Sequence, residues 1–247
     1  MISAPHPDWI TPEWPVPRRV RALITTRAGG VSSNEFASLN LSTHVGDDPQ
    51  RVARNRTILN ACLPAEPAWV KQVHGTVVIE AAKATPETEA DGLVTRAAGA
   101  VCGVLTADCL PILLADRPGK TVGIAHAGWR GLAGGIIENV VRAMDVPASD
   151  LVAYVGPGIG PQRYEVGEDV RQAFVRKNPD AAAAFVFQQN GKYLADLNRL
   201  ARQRLSAAGV DEIHGPSVCT VSDERFFSFR RDRISGRMAS LVWIEDR

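Results

Sequence analysis

Apolar residues recur along this chain at two periods, and the periods sort it into strands and helices. Short apolar runs bounded by Gly, Pro or Asp lie at 101–106, 111–115, 121–125 and 151–155 and predict buried strands. Residues 20–26 and 239–244 predict two more, and 69–73 and 77–81 look like strand pieces interrupted by His74-Gly75. Helical spacing appears in Ile136, Ile137, Val140, Val141 and Met144, behind a Gly-rich stretch, GWRGLAGG, that reads as a loop. Asp48-Pro49 reads as an N-cap with Pro in the first helical position, followed by Val52, Leu59 and Cys62 roughly on one face. Further helices are predicted over 168–177 and 195–208, the second closed by Gly209.

Strands and helices are mixed from end to end, with no linker, repeat or charge block. The expected fold class is α/β or α+β: one compact domain over 20–247, a mixed sheet with flanking helices, and an extended, proline-rich lead-in over 1–19. Three strands crowd into 101–125, so antiparallel pairs are expected rather than a plain doubly wound sheet.

Composition narrows the function classes. With 45% hydrophobic and 22% charged residues among 247, the chain has the make-up of an average folded protein. A net charge of +1 gives no basic excess, which ranks nucleic-acid binding low. No run of roughly 18 apolar residues is present to span a membrane. The N-terminus, with acids, prolines and tryptophans, lacks the pattern of a signal peptide, so the expected location is the cytoplasm. There the four cysteines (Cys62, Cys102, Cys109, Cys219) should be thiols.

Three residues with ligand chemistry stand at predicted strand ends: His74 in KQVHG, Cys109 in TADCLP and His126 in AHAGWRG. A thiolate and two imidazoles suit Zn²⁺, and catalytic zinc commonly has three protein ligands. The separations match no local zinc motif, and buried polar histidines with a buried thiol account for the same residues. A thiolate–imidazole pair, its histidine oriented by Asp108, is the nucleophilic alternative. A closed structural zinc site would need a fourth ligand, such as Cys102 or Cys219. For anions, GWRGLAGG carries Arg130, with Gly128 and Gly131 allowing close backbone approach to a phosphate, and TTRAGG offers Arg27. VGPGIGPQRYEVG lacks a GxGxxG opening a helix, which excludes a dinucleotide fingerprint. In FFSFRRDRISGRMA, Phe226, Phe227 and Phe229 beside Arg230, Arg231 and Arg233 suit either stacking of a base with an anion, or a strand with one aromatic and one basic face.

Taken in order, TTRAGGVS, SLNLSTHVGDD, VARNR, KQVHG, ADG, TADCLPILLAD, AHAGWRG, VGPGIGPQRYEVG and FFSFRRD…GRMA resemble the YfiH-like, laccase-domain proteins across roughly residues 20–245. The resemblance implies one zinc per chain held by His74, Cys109 and His126. It implies phosphorolysis of purine nucleosides such as adenosine, inosine and methylthioadenosine, with deamination of adenosine, so the expected partners are a nucleoside and phosphate. Arg27 is then the first candidate for phosphate and Arg130 the second. Lys71 and Gln72 flank His74 and are candidates for phosphate or sugar contact, Arg230 for substrate, and Asp108 for proton transfer or support of Cys109. The family also carries the labels polyphenol oxidase and peptidoglycan editing factor, the second pointing to a Cys/His hydrolase or amidase acting on a cell-wall precursor. Five histidines with no His-x-His pair are too few for a multicopper centre, although Cu²⁺ can substitute for zinc in one site.

Overall fold

The computed structural model describes residues 2–246, so Met1 and Arg247 of the two predicted ranges lie outside it. In chain order the strands are β1 (Val20–Ile24), β2 (Val78–Glu80), β3 (Gly92–Thr95), β4 (Val101–Thr106), β5 (Leu110–Asp116), β6 (Val122–Ala127), β7 (Leu151–Val155), β8 (Glu165–Val166), β9 (Phe185–Phe187), β10 (Tyr193–Ala195), β11 (Glu212–His214) and β12 (Met238–Ile244). The α-helices are α1 (Pro49–Asn60), α2 (Trp129–Gly134), α3 (Ile136–Met144), α4 (Glu168–Val175), α5 (Leu197–Ala207) and α6 (Phe229–Asp232).

The main sheet runs β11-β7-β5-β6-β3-β2, with parallel pairs at its two edges and antiparallel pairs between. A second sheet, β1-β12-β4, is antiparallel, and β8-β10-β9 forms a small third one. All seven residues of β5 are buried because each face of the strand serves a different core. Ile112 and Leu114 pack on the helix side with Ile136, Val140 and Leu200. Leu113 and Ala115 pack against Val104 and Val242 of the second sheet. The far face of that sheet, through Leu241 and Trp243, covers Leu59 of α1 and Leu39 and Leu41. The result is a single α/β domain in four layers: α1 with its loops, three strands, six strands, and helices α3 to α5.

Most predicted elements are present, with four instructive differences. Residues 69–73 make a single isolated bridge, Lys71 to Glu89, because Gln72 spends its amide on Leu105 and the chain then turns onto a carboxylate. GWRGLAGG is helical from Trp129 onward, broken only at Gly135, whose φ of +112° starts α3 afresh. Of the three crowded strands, β5 and β6 pair with each other while β4 crosses to the second sheet. The aromatic–basic stretch is not a strand: Phe226 and Phe227 are buried and Phe229–Asp232 turns as α6. Asp48 caps α1 as expected, accepting from Gln50 N at 2.8 Å. The lead-in packs on the sheets: Trp9 is buried, and Trp14 meets Tyr154 edge-on at 6.1 Å. Among the described residues no helix is long and apolar enough to cross a membrane.

Register carries the fold to its chemistry. Pro111 pairs with His126 across β5 and β6, and Gly92 with Ala125 across β3 and β6. The entry of β5, the exit of β6 and the entry of β3 therefore meet at one end of the main sheet. Leu113 is fully buried between the sheets. Leu113→Ala should lower unfolding free energy by about 2–5 kcal/mol, read as a shifted urea midpoint at unchanged slope.

Candidate functional site

The site is organised by Asp91, the residue before β3, which is fully buried. Its carboxylate accepts hydrogen bonds from Val73 N at 3.1 Å, His74 N at 3.0 Å and Gly75 N at 2.7 Å. It also binds His126 Nδ1 at 2.7 Å, while its main-chain oxygen accepts from His126 N at 2.7 Å. One carboxylate thus holds two histidines from distant parts of the chain. The three backbone donors hold His74 at a φ of +59°, a left-handed conformation that costs a non-glycine residue about 1 kcal/mol or more. Burial works against the Asp91 anion, yet His126 and the backbone donors hold its pKa below the usual carboxylate value.

His74, Cys109 and His126 converge, with one ligand atom from each lying within 4.8 Å of the others. Cys109 Sγ is 3.8 Å from His74 Nε2, and the two imidazoles meet edge-on at 4.8 Å between centroids. With His126 Nδ1 on Asp91, its Nε2 is the nitrogen left for the centre. Burial alone would raise the Cys109 thiol and depress the His126 imidazole. Their mutual attraction, with His74 on the thiol and Asp91 on the imidazole, reverses both, to about 6 for the thiol and about 9 for the imidazole. The metal-free centre thus favours a thiolate beside an imidazolium, and a cation can displace that proton. One thiolate and two imidazoles, one of them backed by a carboxylate, form a donor set that fits a single zinc-type ion. His126 is buried, Cys109 half-buried and His74 exposed, so the cluster is open toward solvent on the His74 side.

The remaining predicted residues divide. Asp108 sits at a φ of +81°, and its carboxylate accepts from Thr220 Oγ1 at 2.6 Å and Arg230 N at 2.7 Å, joining the Cys109 turn to the C-terminal segment. The carboxylate on His126 is thus that of Asp91, not Asp108. Arg230 lies over the buried Tyr164 ring at 5.3 Å and donates to Glu165 O. Arg130 is exposed and stacks on Trp129 at 4.5 Å. Arg27 lies 5.0 Å from the Phe227 ring centroid and donates through Nε to Ala37 O at 2.7 Å. Lys71 pairs with Glu89 at the surface, and both ends of the Gln72 amide are occupied by Leu105. Cys102 is buried between the sheets, and Cys219 accepts from Gly160 N at 3.2 Å; neither joins the cluster. The glycines of α2 make way for protein. A Cβ on Gly128 would fall 2.8 Å from His74 Cδ2 and 3.0 Å from Cys109 Sγ, and one on Gly131 would fall 2.7 Å from Gly75 O.

Sequence reasoning missed Asp91. Its signal is the Ala90-Asp91-Gly92 triplet, a motif of the family resemblance with no role attached to it; the strand register sets Asp91 opposite His126. Tyr164 was missed too. It is buried under Arg230, and burial raises its phenol above the ordinary value, with the Cys109 and Asp108 charges adding to the effect.

Fold and site together define a single-domain α/β protein with one His-Cys-His cluster, able to hold a single metal ion, at the end of its larger sheet. Residues 21–245 match the family described as multi-copper polyphenol oxidoreductase laccase, and the chain belongs to that family. It is 50% identical to a purine nucleoside phosphorylase of Pseudomonas aeruginosa, over 96% of this chain and 99% of that one. It is 46% identical to the purine nucleoside phosphorylase YfiH of Escherichia coli, over 95% and 98%. A solved Neisseria meningitidis protein superposes with a TM-score of 0.93 at 49% identity, covering 97% of this chain and all of that one. Among the described residues, His74, Cys109 and His126 are the one grouping of three or more donors that could hold a metal, against the several that a multi-copper centre needs.

Asp91→Asn replaces an acceptor of four hydrogen bonds with a group that must also donate, so metal affinity should fall about 10–100-fold by competitive chelator titration. In metal-free protein, alkylation of Cys109 followed by peptide mass spectrometry should rise through a midpoint at about pH 6, and metal loading should suppress it. Gly131→Val should lower metal content and activity together, since the side chain would push on the turn carrying His74 rather than on a ligand.

Proposed function

We propose that the protein is a cytoplasmic, zinc-dependent purine nucleoside phosphorylase, acting on adenosine, inosine and methylthioadenosine, that also deaminates adenosine. The observation that carries the reading is the convergence of His74, Cys109 and His126 on one open centre, in a chain whose relatives of matching length are named purine nucleoside phosphorylases. His74, Cys109 and His126 would hold the ion, which when bound supplies Lewis acidity and lowers the pKa of water toward 7. Cu²⁺ competes for the same donors, and zinc is the physiological choice by availability rather than affinity. The four free thiols suit a reducing compartment.

In phosphorolysis a phosphate oxygen bonds to C1′ of the ribose, the C1′–N9 bond breaks, and the purine leaves with the electron pair and takes up a proton. Phosphate needs fixed cationic donors, for which Arg27 is the first choice and Arg130 the second. In deamination water adds at C6 of adenine and ammonia departs. Asp108, its carboxylate already accepting two hydrogen bonds, acts by positioning Cys109 and Arg230. Tyr164 and Arg230 form a wall on which a nucleoside can rest.

One observation favours a second reading. Cys109, His126 and Asp91 have the thiolate–imidazole–carboxylate order of a cysteine hydrolase, which would suit amide cleavage in a cell-wall precursor. Zinc dependence separates the two. Metal-loaded protein incubated with adenosine and phosphate should release adenine with ribose 1-phosphate, and inosine or hypoxanthine through deamination. A chelator should abolish both reactions. Activity that survives chelation and is lost on alkylation of Cys109 would select the hydrolase. Arg27→Ala should raise the phosphate requirement by about 10–100-fold while zinc content stays at one.

A further inference from the structure

Arg237 lies between α6 and β12, in the GRMA motif that closes the aromatic–basic stretch. Its guanidinium is anchored on one side only. Nη1 donates to Ser235 O at 2.8 Å and Gly236 O at 3.0 Å. Among the described residues Nε and Nη2 donate to no protein acceptor, and no carboxylate forms an ion pair with the group. Those two nitrogens form the edge of the fork that grips an oxyanion through two parallel hydrogen bonds. The side chain is half-buried, and burial lowers its pKa, with Cys109 and Asp108 as the negative groups opposing the shift. A cation withdrawn from water with its binding edge unpaired is costly unless an anion meets it.

Its surroundings tie it to the centre. The guanidinium lies 6.0 Å from the Phe229 ring centroid, and Arg230, next in the chain, donates its N–H to Asp108, the residue before Cys109. Arg27 is joined to the same wall. Residues 39–41 link the two arginines, since Leu39 N donates to Arg27 O at 2.8 Å and Arg237 N donates to Asn40 Oδ1 at 3.0 Å. Gly236 packs so tightly on Phe227, the ring beneath Arg27, that a Cβ there would fall 2.7 Å from it. We infer that Arg237 joins Arg27 in binding phosphate at this site, gripping the co-substrate through Nε and Nη2. The inference rests on the phosphorolysis reading for its biological role and on an anion site for its chemistry, and the two are tested separately.

Calorimetry of metal-loaded protein with inorganic phosphate tests the site, and phosphate KM in nucleoside cleavage tests the role. Arg237→Gln should raise the phosphate Kd and KM about 10–100-fold, with nucleoside KM, melting temperature and metal content close to wild type. Arg237→Lys should recover only part of the loss, because an ammonium restores the charge without the fork. A merely structural role would instead lower melting temperature and metal content and shift both KM values together. Phosphate binding in Arg237→Gln equal to wild type would overturn the inference, as would a wild type that binds no phosphate. If Arg237→Gln fails to fold, a folded Arg237→Lys with unchanged phosphate Kd would overturn it equally. If wild type binds phosphate through Arg237 and yet yields no ribose 1-phosphate, the anion site stands and the phosphorylase reading falls.

Discussion

A buried carboxylate with four hydrogen-bond donors aimed at it is the constraint on which this site depends. Asp91 has no exposure to water, so its charge is tolerable only because Val73, His74, Gly75 and His126 all point at it. The dependence runs in both directions. Remove the carboxylate and three backbone N–H groups lose their acceptor, His74 loses the support for its left-handed backbone, and His126 loses the partner that sets its orientation. The donors of the centre are thus held by the main sheet rather than by a flexible loop, because Asp91 itself is the first step into β3.

Around that anchor the packing is tight enough to exclude side chains. Gly128 is pressed against His74 and Cys109, and Gly131 against the turn that carries His74. These glycines let the start of α2 approach the His74 turn and Cys109 closely. Along one wall arginines lie over aromatic rings: Arg27 over Phe227, Arg230 over Tyr164 and Arg237 beside Phe229. A guanidinium stacked on a ring keeps its in-plane donors available, which is why this wall can combine a flat apolar surface with charge.

The core elements were legible because burial writes directly into composition: β5, β6, β7 and α3 have the apolar runs and spacing that two-sided or one-sided burial requires. Residues 69–73 misled because their backbone groups are satisfied by Gln72 and Asp91 rather than by a neighbouring strand, and apolar patterning does not report where a hydrogen bond goes. The helical character of Trp129–Gly134 was hidden by its glycines, whose propensity is outweighed by the room they make. His74, Cys109 and His126 were identified through the resemblance of whole motifs, not through spacing. ADG stood among those motifs, but a role for Asp91 came only from the pairing of β3 with β6, which sets it opposite His126.

The second sheet has its strands in the order β1-β12-β4, so its middle strand is the last of the chain. On the ribosome, β1 emerges more than two hundred residues before the strand that pairs with it along its length. Until then the faces of β1 and β4 that cover β5 have no common neighbour, and Leu113 and Val104 have only half a core to enter. The second sheet is complete only when β12 pairs with both β1 and β4, and Phe227, Arg230 and Arg237 immediately precede β12 in the chain. Non-local pairing of this kind is slow relative to local structure. Formation of the second sheet therefore waits on a pairing between segments more than two hundred residues apart.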